Sequence, residues 1–140
     1  MADGHAARVV LAIDPGRAKC GIAVVSSDGS IRHRAVVARA DLPVAASELL
    51  KRFSPVALIM GNGTFAKSVC EELSAVQCAD HVLLVDERHT SEDARARYLD
   101  EHPPRGFSRL VPRGLRTPDA PYDDYVAILL AERWWQAQLP

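Results

Sequence analysis

Arg8-Val9-Val10-Leu11-Ala12-Ile13-Asp14-Pro15-Gly16-Arg17-Ala18-Lys19-Cys20-Gly21-Ile22-Ala23-Val24-Val25 reads as two strands joined by a tight turn. The apolar runs at 8–13 and 21–25 are short, aliphatic and partly β-branched, as buried strands are. In Asp14-Pro15-Gly16 the proline fixes φ and the glycine accepts a positive one. Ser27-Asp28-Gly29-Ser30 is a second turn, so residues 31–38 are expected to return and complete an antiparallel meander. An aspartate therefore stands at the end of the first strand.

Beyond the meander the rhythm changes. Ala45, Leu49 and Phe53 recur every fourth residue, with Asp41 or its neighbourhood capping a helix and Pro43 in its first turn. A strand follows at 56–60, then a helix marked by Phe65, Val69, Leu73 and Val76, then a strand at 81–85. A helix from about 91 to 101 has capping-box spacing in Thr90-Ser91-Glu92-Asp93. The last helix, about 123 to 137, carries Ala127, Leu130, Ala131 and Trp134 on one face. Strands that first form a meander and then alternate with helices predict an α/β domain on a mixed sheet.

The chain is 140 residues long, which fits one domain spanning 1–140, and its 48% hydrophobic content suffices for a core without disulfides or metal staples. Three cysteines (Cys20, Cys70, Cys78) form no CxxC pair and read as small apolar residues in a reducing cytoplasm. The scattered histidines hold no zinc-ligand spacing. No apolar run reaches the ~20 residues that cross a bilayer, so no membrane partner is expected. A net charge of -1 argues against a wholly basic wrapper of nucleic acid, but not against a local basic patch. Residues 102–122 are such a patch, a long proline-containing loop with Arg105, Arg109, Arg113 and Arg116 and one acid, Asp119.

Three carboxylates fall at element ends: Asp14 after the first strand, Glu87 after the strand at 81–85, and Asp123, followed by Asp124, at the start of the last helix. In open α/β sheets, sites gather beyond the carboxyl ends of the strands. Clustered carboxylates repel one another, and a hard divalent cation removes that conflict. Two such ions can activate water and stabilise the leaving oxygen of a phosphodiester. Each residue also has a plainer reading. Asp14 can start a turn, Glu87 can pair with Arg88 or Arg17, and Asp123 and Asp124 can complement a helix dipole.

Asp14-Pro15-Gly16-Arg17-Ala18-Lys19-Cys20-Gly21-Ile22-Ala23-Val24 resembles the first motif of the YqgF/RuvX family, a branch of the RuvC-like nucleases. Val85-Asp86-Glu87-Arg88-His89-Thr90-Ser91-Glu92-Asp93-Ala94 is similar to that family's second motif, and Asp123-Asp124-Tyr125-Val126-Ala127-Ile128-Leu129-Leu130 to its final helix. The resemblance implies an RNase H-like fold, a five-stranded mixed sheet in order 3-2-1-4-5 with helices on both faces. It also implies a catalytic and metal-holding triad of Asp14, Glu87 and Asp123, with Asp124 as the competing final-helix ligand, and Mg²⁺ or Mn²⁺ as cofactor. Asp123 is preferred because Ala127 then takes the small-residue position of the helix.

The function so implied is a metal-dependent endonuclease that processes the 5′ end of pre-16S rRNA, as monomer or homodimer. A four-way DNA (Holliday) junction is the alternative substrate, which requires a two-fold dimer. A non-catalytic nucleic-acid-binding module is the other alternative. An actin-like phosphate-binding domain, suggested by Asp14-x-Gly16, would need a longer chain. Backbone contacts fall to Arg17, Lys19, Lys67, Arg88 and the four arginines of 102–122. Where many relatives carry a Gly-x-Pro turn, this chain has Gly61-Asn62-Gly63-Thr64. That turn can offer N–H groups to a phosphate beside Lys67, or simply supply Thr64 as a helix N-cap. Trp134 and Trp135 are expected in the core or in a dimer contact.

Overall fold

A computed structural model describes residues 8–75, 82–86, 90–102 and 123–139, excluding the side chains of Thr90 and Ser91. Its strands are β1 (Val9–Asp14), β2 (Lys19–Ser26), β3 (Ile31–Ala38), β4 (Ala57–Gly61) and β5 (Val82–Val85). The helices are α1 (Leu42–Phe53), α2 (Ala66–Ala75), α3 (Thr90–Glu101) and α4 (Asp123–Ala137), with a 3-10 turn, Arg39–Asp41, leading into α1. The five strands form one sheet in the order β3-β2-β1-β4-β5. β1–β2 and β2–β3 are antiparallel, while β1–β4 and β4–β5 are parallel. The expected mixed sheet and its order are borne out.

Strand alternation divides the core into two layers. Val9, Leu11 and Ile13 of β1 join Cys20, Ile22 and Val24 of β2 beneath α1 and α2. Val10 and Ala12, with Ala23, Val25 and Ile59, face α3 and α4. The helices therefore lie on both faces. Small residues line the α4 side because that helix lies across β1, β2, β3 and β4 while α3 flanks it. It is buried over a wide arc for the same reason: Val126, Ala127, Ile128, Leu130 and Ala131 are all in the core.

Several local expectations need correction. β2 begins at Lys19, before the apolar run, because pairing of Lys19 with Ala38 carries the ladder toward the turn. The apolar run at 81–85 also reads as a buried strand, but β5 is a sheet edge, and Leu83 and Leu84 are 48% and 58% exposed. Asp41 holds the N-cap position of α1 but its side chain makes no capping bond; the 3-10 turn supplies a partner instead, as the Leu42 N–H donates to the Arg39 carbonyl. Pro43 does lie in the first turn. α2 starts at Ala66, one residue later than a Thr64 cap requires, and the Ala66 N–H bonds the Gly63 carbonyl. Thr90 is already helical in α3, and Asp93, the acid of the expected capping box, accepts from Arg133 of α4 at 2.8 Å; the Thr90 and Ser91 side chains lie outside the described residues, as do Val76 and Cys78.

Cys20 and Cys70 are free thiols, and burial pushes both up from their ordinary pKa. Cys20 packs in the core as the sequence suggests. Trp135 is half-buried at the far end of α4, where its indole N–H donates to the Val25 carbonyl at 3.0 Å. No helix of the described residues is long and apolar enough to cross a membrane.

Candidate active site at the Asp14–Asp123 edge

The site is built on a close approach between backbones. Asp14 is the last residue of β1 and pairs across the ladder with Gly21 of β2. Val10 and Ala12 face α4, so Asp14, two residues further on, carries the same parity. α4 enters over Gly21. A β-carbon built at that glycine would stand 2.0 Å from the Asp123 carbonyl oxygen and 2.8 Å from the Asp124 nitrogen. Only a hydrogen fits there. Gly21 thus brings the first turn of α4 against the end of β1, and with it Asp123 toward Asp14. The turn between them is equally tight: a β-carbon at Gly16 would stand 2.0 Å from the Lys19 carbonyl oxygen.

The two neighbouring aspartates of α4 have different surroundings. Partial burial pushes Asp123 above its ordinary pKa, the adjacent Asp124 charge adds to this, and Lys19 opposes it. Asp124 is engaged elsewhere: its Oδ2 accepts from Arg34 Nε of β3 at 2.9 Å. The same guanidinium lies 4.2 Å above the Tyr125 ring. This ion pair is a feature that sequence reasoning missed. Its only trace in the sequence is an arginine at position 34, within a strand otherwise continuing as Ala35-Val36-Val37.

Of the basic residues, Arg17 and Lys19 are exposed in the β1–β2 turn beside Asp14. Arg39 braces this turn. Its N–H donates to the Ala18 carbonyl, its Nη1 to the Arg17 carbonyl, and its Nε pairs with Glu72 at 3.0 Å. Lys67 belongs to the other layer, because α2 packs beneath the opposite face of the sheet. It lines a cleft of about 690 Å³ with Asn62, Gly63, Thr64, Glu71 and Leu84. Glu87, Arg88, Arg105, Arg109, Arg113 and Arg116 lie outside the described residues.

Asp14 and Asp123 are hard oxygen donors, the donor type that Mg²⁺ and Mn²⁺ prefer, and no soft ligand intrudes from β1 or α4 at this edge. Among the described residues no group of three or more histidine, cysteine or carboxylate ligands is gathered. Asp14 and Asp123, which the Gly21 contact brings to the same end of the sheet, are of a type to fit a hard cation completed by water, phosphate or a further carboxylate.

No protein-family model matches the chain, and no curated protein matches its sequence. Solved structures do match it. Thermus thermophilus RuvC superimposes with a TM-score of 0.60 at 20% identity, over 93% of this chain and 95% of that one. The fold is that of RuvC. T. thermophilus RuvC in complex with a Holliday junction substrate gives a TM-score of 0.59 at 22% identity, over 94% of this chain and 95% of the other. This RNase H-like, α/β architecture agrees with the strand order and the two helical layers described above.

Proposed function

We propose that the protein is a divalent-metal-dependent endonuclease acting on structured nucleic acid. The observation that carries this reading is the seating of α4 on Gly21, which draws Asp123 to the β1 terminus at Asp14. Glu87 would complete the carboxylate set. β4 and β5 end together, with Gly61 paired to Val85 and the Asn62 N–H donating to the Val85 carbonyl. Val85 packs in the α4 layer, and Glu87 follows it by two positions in the sequence. β5 is two strands from β1, about 10 Å away across the sheet.

Asp14, Glu87 and Asp123 would hold Mg²⁺ or Mn²⁺, which supplies an activated water and stabilises the leaving oxygen. Arg17, Lys19, Arg88 and the arginines 105, 109, 113 and 116 would contact phosphates. Lys67, on the other layer, would reach only a substrate that wraps around the sheet end. Contacts of this kind grip the backbone without reading bases.

The three motifs, which resemble the YqgF/RuvX pattern, favour the 5′ end of pre-16S rRNA as substrate, in the cytoplasm. The likeness to RuvC in complex with a Holliday junction supports a second reading, a four-way DNA junction. Side-by-side cleavage of a precursor rRNA fragment and a synthetic four-way junction, with Mg²⁺ and with Mn²⁺, decides between them. Asp14→Asn should abolish cutting of the preferred substrate while retaining fold and most binding. Equal cutting by Asp14→Asn and the parent would overturn the nuclease reading. Tight binding without cleavage by the parent would favour a non-catalytic module.

A further inference from the structure

Arg34 has a placement that stability alone does not explain. It lies on the edge strand β3, where its partner across the ladder is Ala23, a residue of the α4 layer. From there it reaches over the sheet to Asp124, whose side chain is only 14% exposed. The guanidinium simultaneously covers the Tyr125 ring. Tyr125 is tied in turn to α3. Its hydroxyl donates to Glu101, and its ring meets Tyr98 edge-on at 5.6 Å. Glu101 pairs with Arg97, and Arg97 pairs with Glu132 further along α4 at 3.0 Å.

The first turn of α4 is therefore gripped from β3 and from α3. Successive residues on a helix are separated by about 100° of rotation. Fixing the azimuth of Asp124 fixes that of Asp123, whose own main chain rests on Gly21. We propose that Arg34 is the positioning residue of the site: by holding Asp124 and Tyr125 it sets the rotation of α4 that presents Asp123 beside Asp14. This rests on the nuclease reading above, with Asp123 as a metal ligand. Arginine suits the task because one planar group both bonds a carboxylate and stacks on a ring, which lysine cannot do.

The test uses the full chain with Arg34→Gln, Arg34→Lys, Asp124→Asn, Asp123→Asn and the Arg34→Gln/Asp124→Asn pair. Three quantities are read: kcat and KM on the nucleic acid the parent cuts, Mn²⁺ affinity by calorimetry without nucleic acid, and thermal melting. A misplaced reacting group costs up to about a hundredfold in rate. Arg34→Gln should accordingly lower kcat roughly tenfold to a hundredfold at unchanged KM and weaken Mn²⁺ binding, below the melting range. Arg34→Lys should recover part of this loss. The double variant should be no worse than the poorer single, because both remove one interaction.

Parental kcat and Mn²⁺ affinity in Arg34→Gln, with Asp123→Asn inactive, would overturn the positioning role and leave the nuclease reading intact. Parental cleavage and Mn²⁺ binding in Asp123→Asn would overturn both. If Arg34→Gln fails to fold, Asp124→Asn, which keeps the side-chain shape and removes the charge, is judged by the same two readouts.

Discussion

The main chain of Asp123 lies against Gly21 so closely that a β-carbon on residue 21 would stand 2.0 Å from the Asp123 carbonyl oxygen. The obstacle is backbone, not a flexible side chain, so it cannot swing aside. Gly21→Ala should therefore push the start of α4 off the sheet. Overpacking of this kind costs about 1–3 kcal/mol. The melting temperature should fall by about 4 °C per kcal/mol for a chain of this size. Calorimetric melts check the stability. Cleavage should be lost even where the variant stays folded, because α4 then carries Asp123 away from Asp14.

The hairpin between β2 and β3 contains an acid whose titration is set by its neighbours. Asp28 accepts from the Ser30 N–H at 2.9 Å and from the Ser30 hydroxyl at 2.7 Å. These bonds, with a smaller contribution from Ser26, lower its pKa from 3.8 to about 2. A carboxyl with a depressed folded-state pKa stabilises the fold above its unfolded value and loses that contribution as pH falls. The window here runs from about pH 4 down to about pH 2. Asp28→Asn should make stability less dependent on pH within that window. Urea midpoints measured every half pH unit would show a shallower slope for the variant; parallel curves would refute the assignment.

At the other end of α4, Trp135 ties the helix to the end of β2 through its bond to the Val25 carbonyl. Trp135→Phe retains most of the apolar contact and removes the donor. A net loss of about 1 kcal/mol is expected. Denaturant unfolding should show a lower midpoint at an unchanged slope.

Ser54 ends α1 in the left-handed region, at φ 46 and ψ 57, with its N–H bonded to the Leu50 carbonyl. A side chain is disfavoured in that conformation, and glycine is the usual occupant of such a helix end. Glycine's greater freedom in the unfolded chain offsets part of the gain. Ser54→Gly should still raise stability by about 0.5 kcal/mol, read as a small upward shift of the denaturation midpoint.

The strands were legible because each is a short aliphatic run bounded by turn residues, and the positions of Asp14 and Asp123 at element ends followed from them. The edge position of β5 was not legible. Leu83 and Leu84 give a continuous apolar run whether a strand is central or peripheral, and only pairing distinguishes the two. Asp41 looked like a cap because its residue type is right, yet the preceding 3-10 turn already provides a bond at that point. The resemblance already implied that Asp123 joins Asp14, but the contact that seats α4 was hidden. It lies at Gly21, and a glycine in a strand signals close approach without saying what approaches. Arg34 was missed because its partner, Asp124, is distant in sequence and on another element.

The two aspartates lie on the first and last elements described, and α4 covers the strands at the centre of the sheet. During synthesis the ribosome releases β1 long before α4 exists. Until then Val10, Ala12, Ala23 and Val25 have no helix from α4 above them. A nascent or interrupted chain without α4 therefore exposes this apolar surface, and it contains Asp14 without its neighbour Asp123. The pairing of the two aspartates is thus set by topology, because it cannot form before α4 has been made.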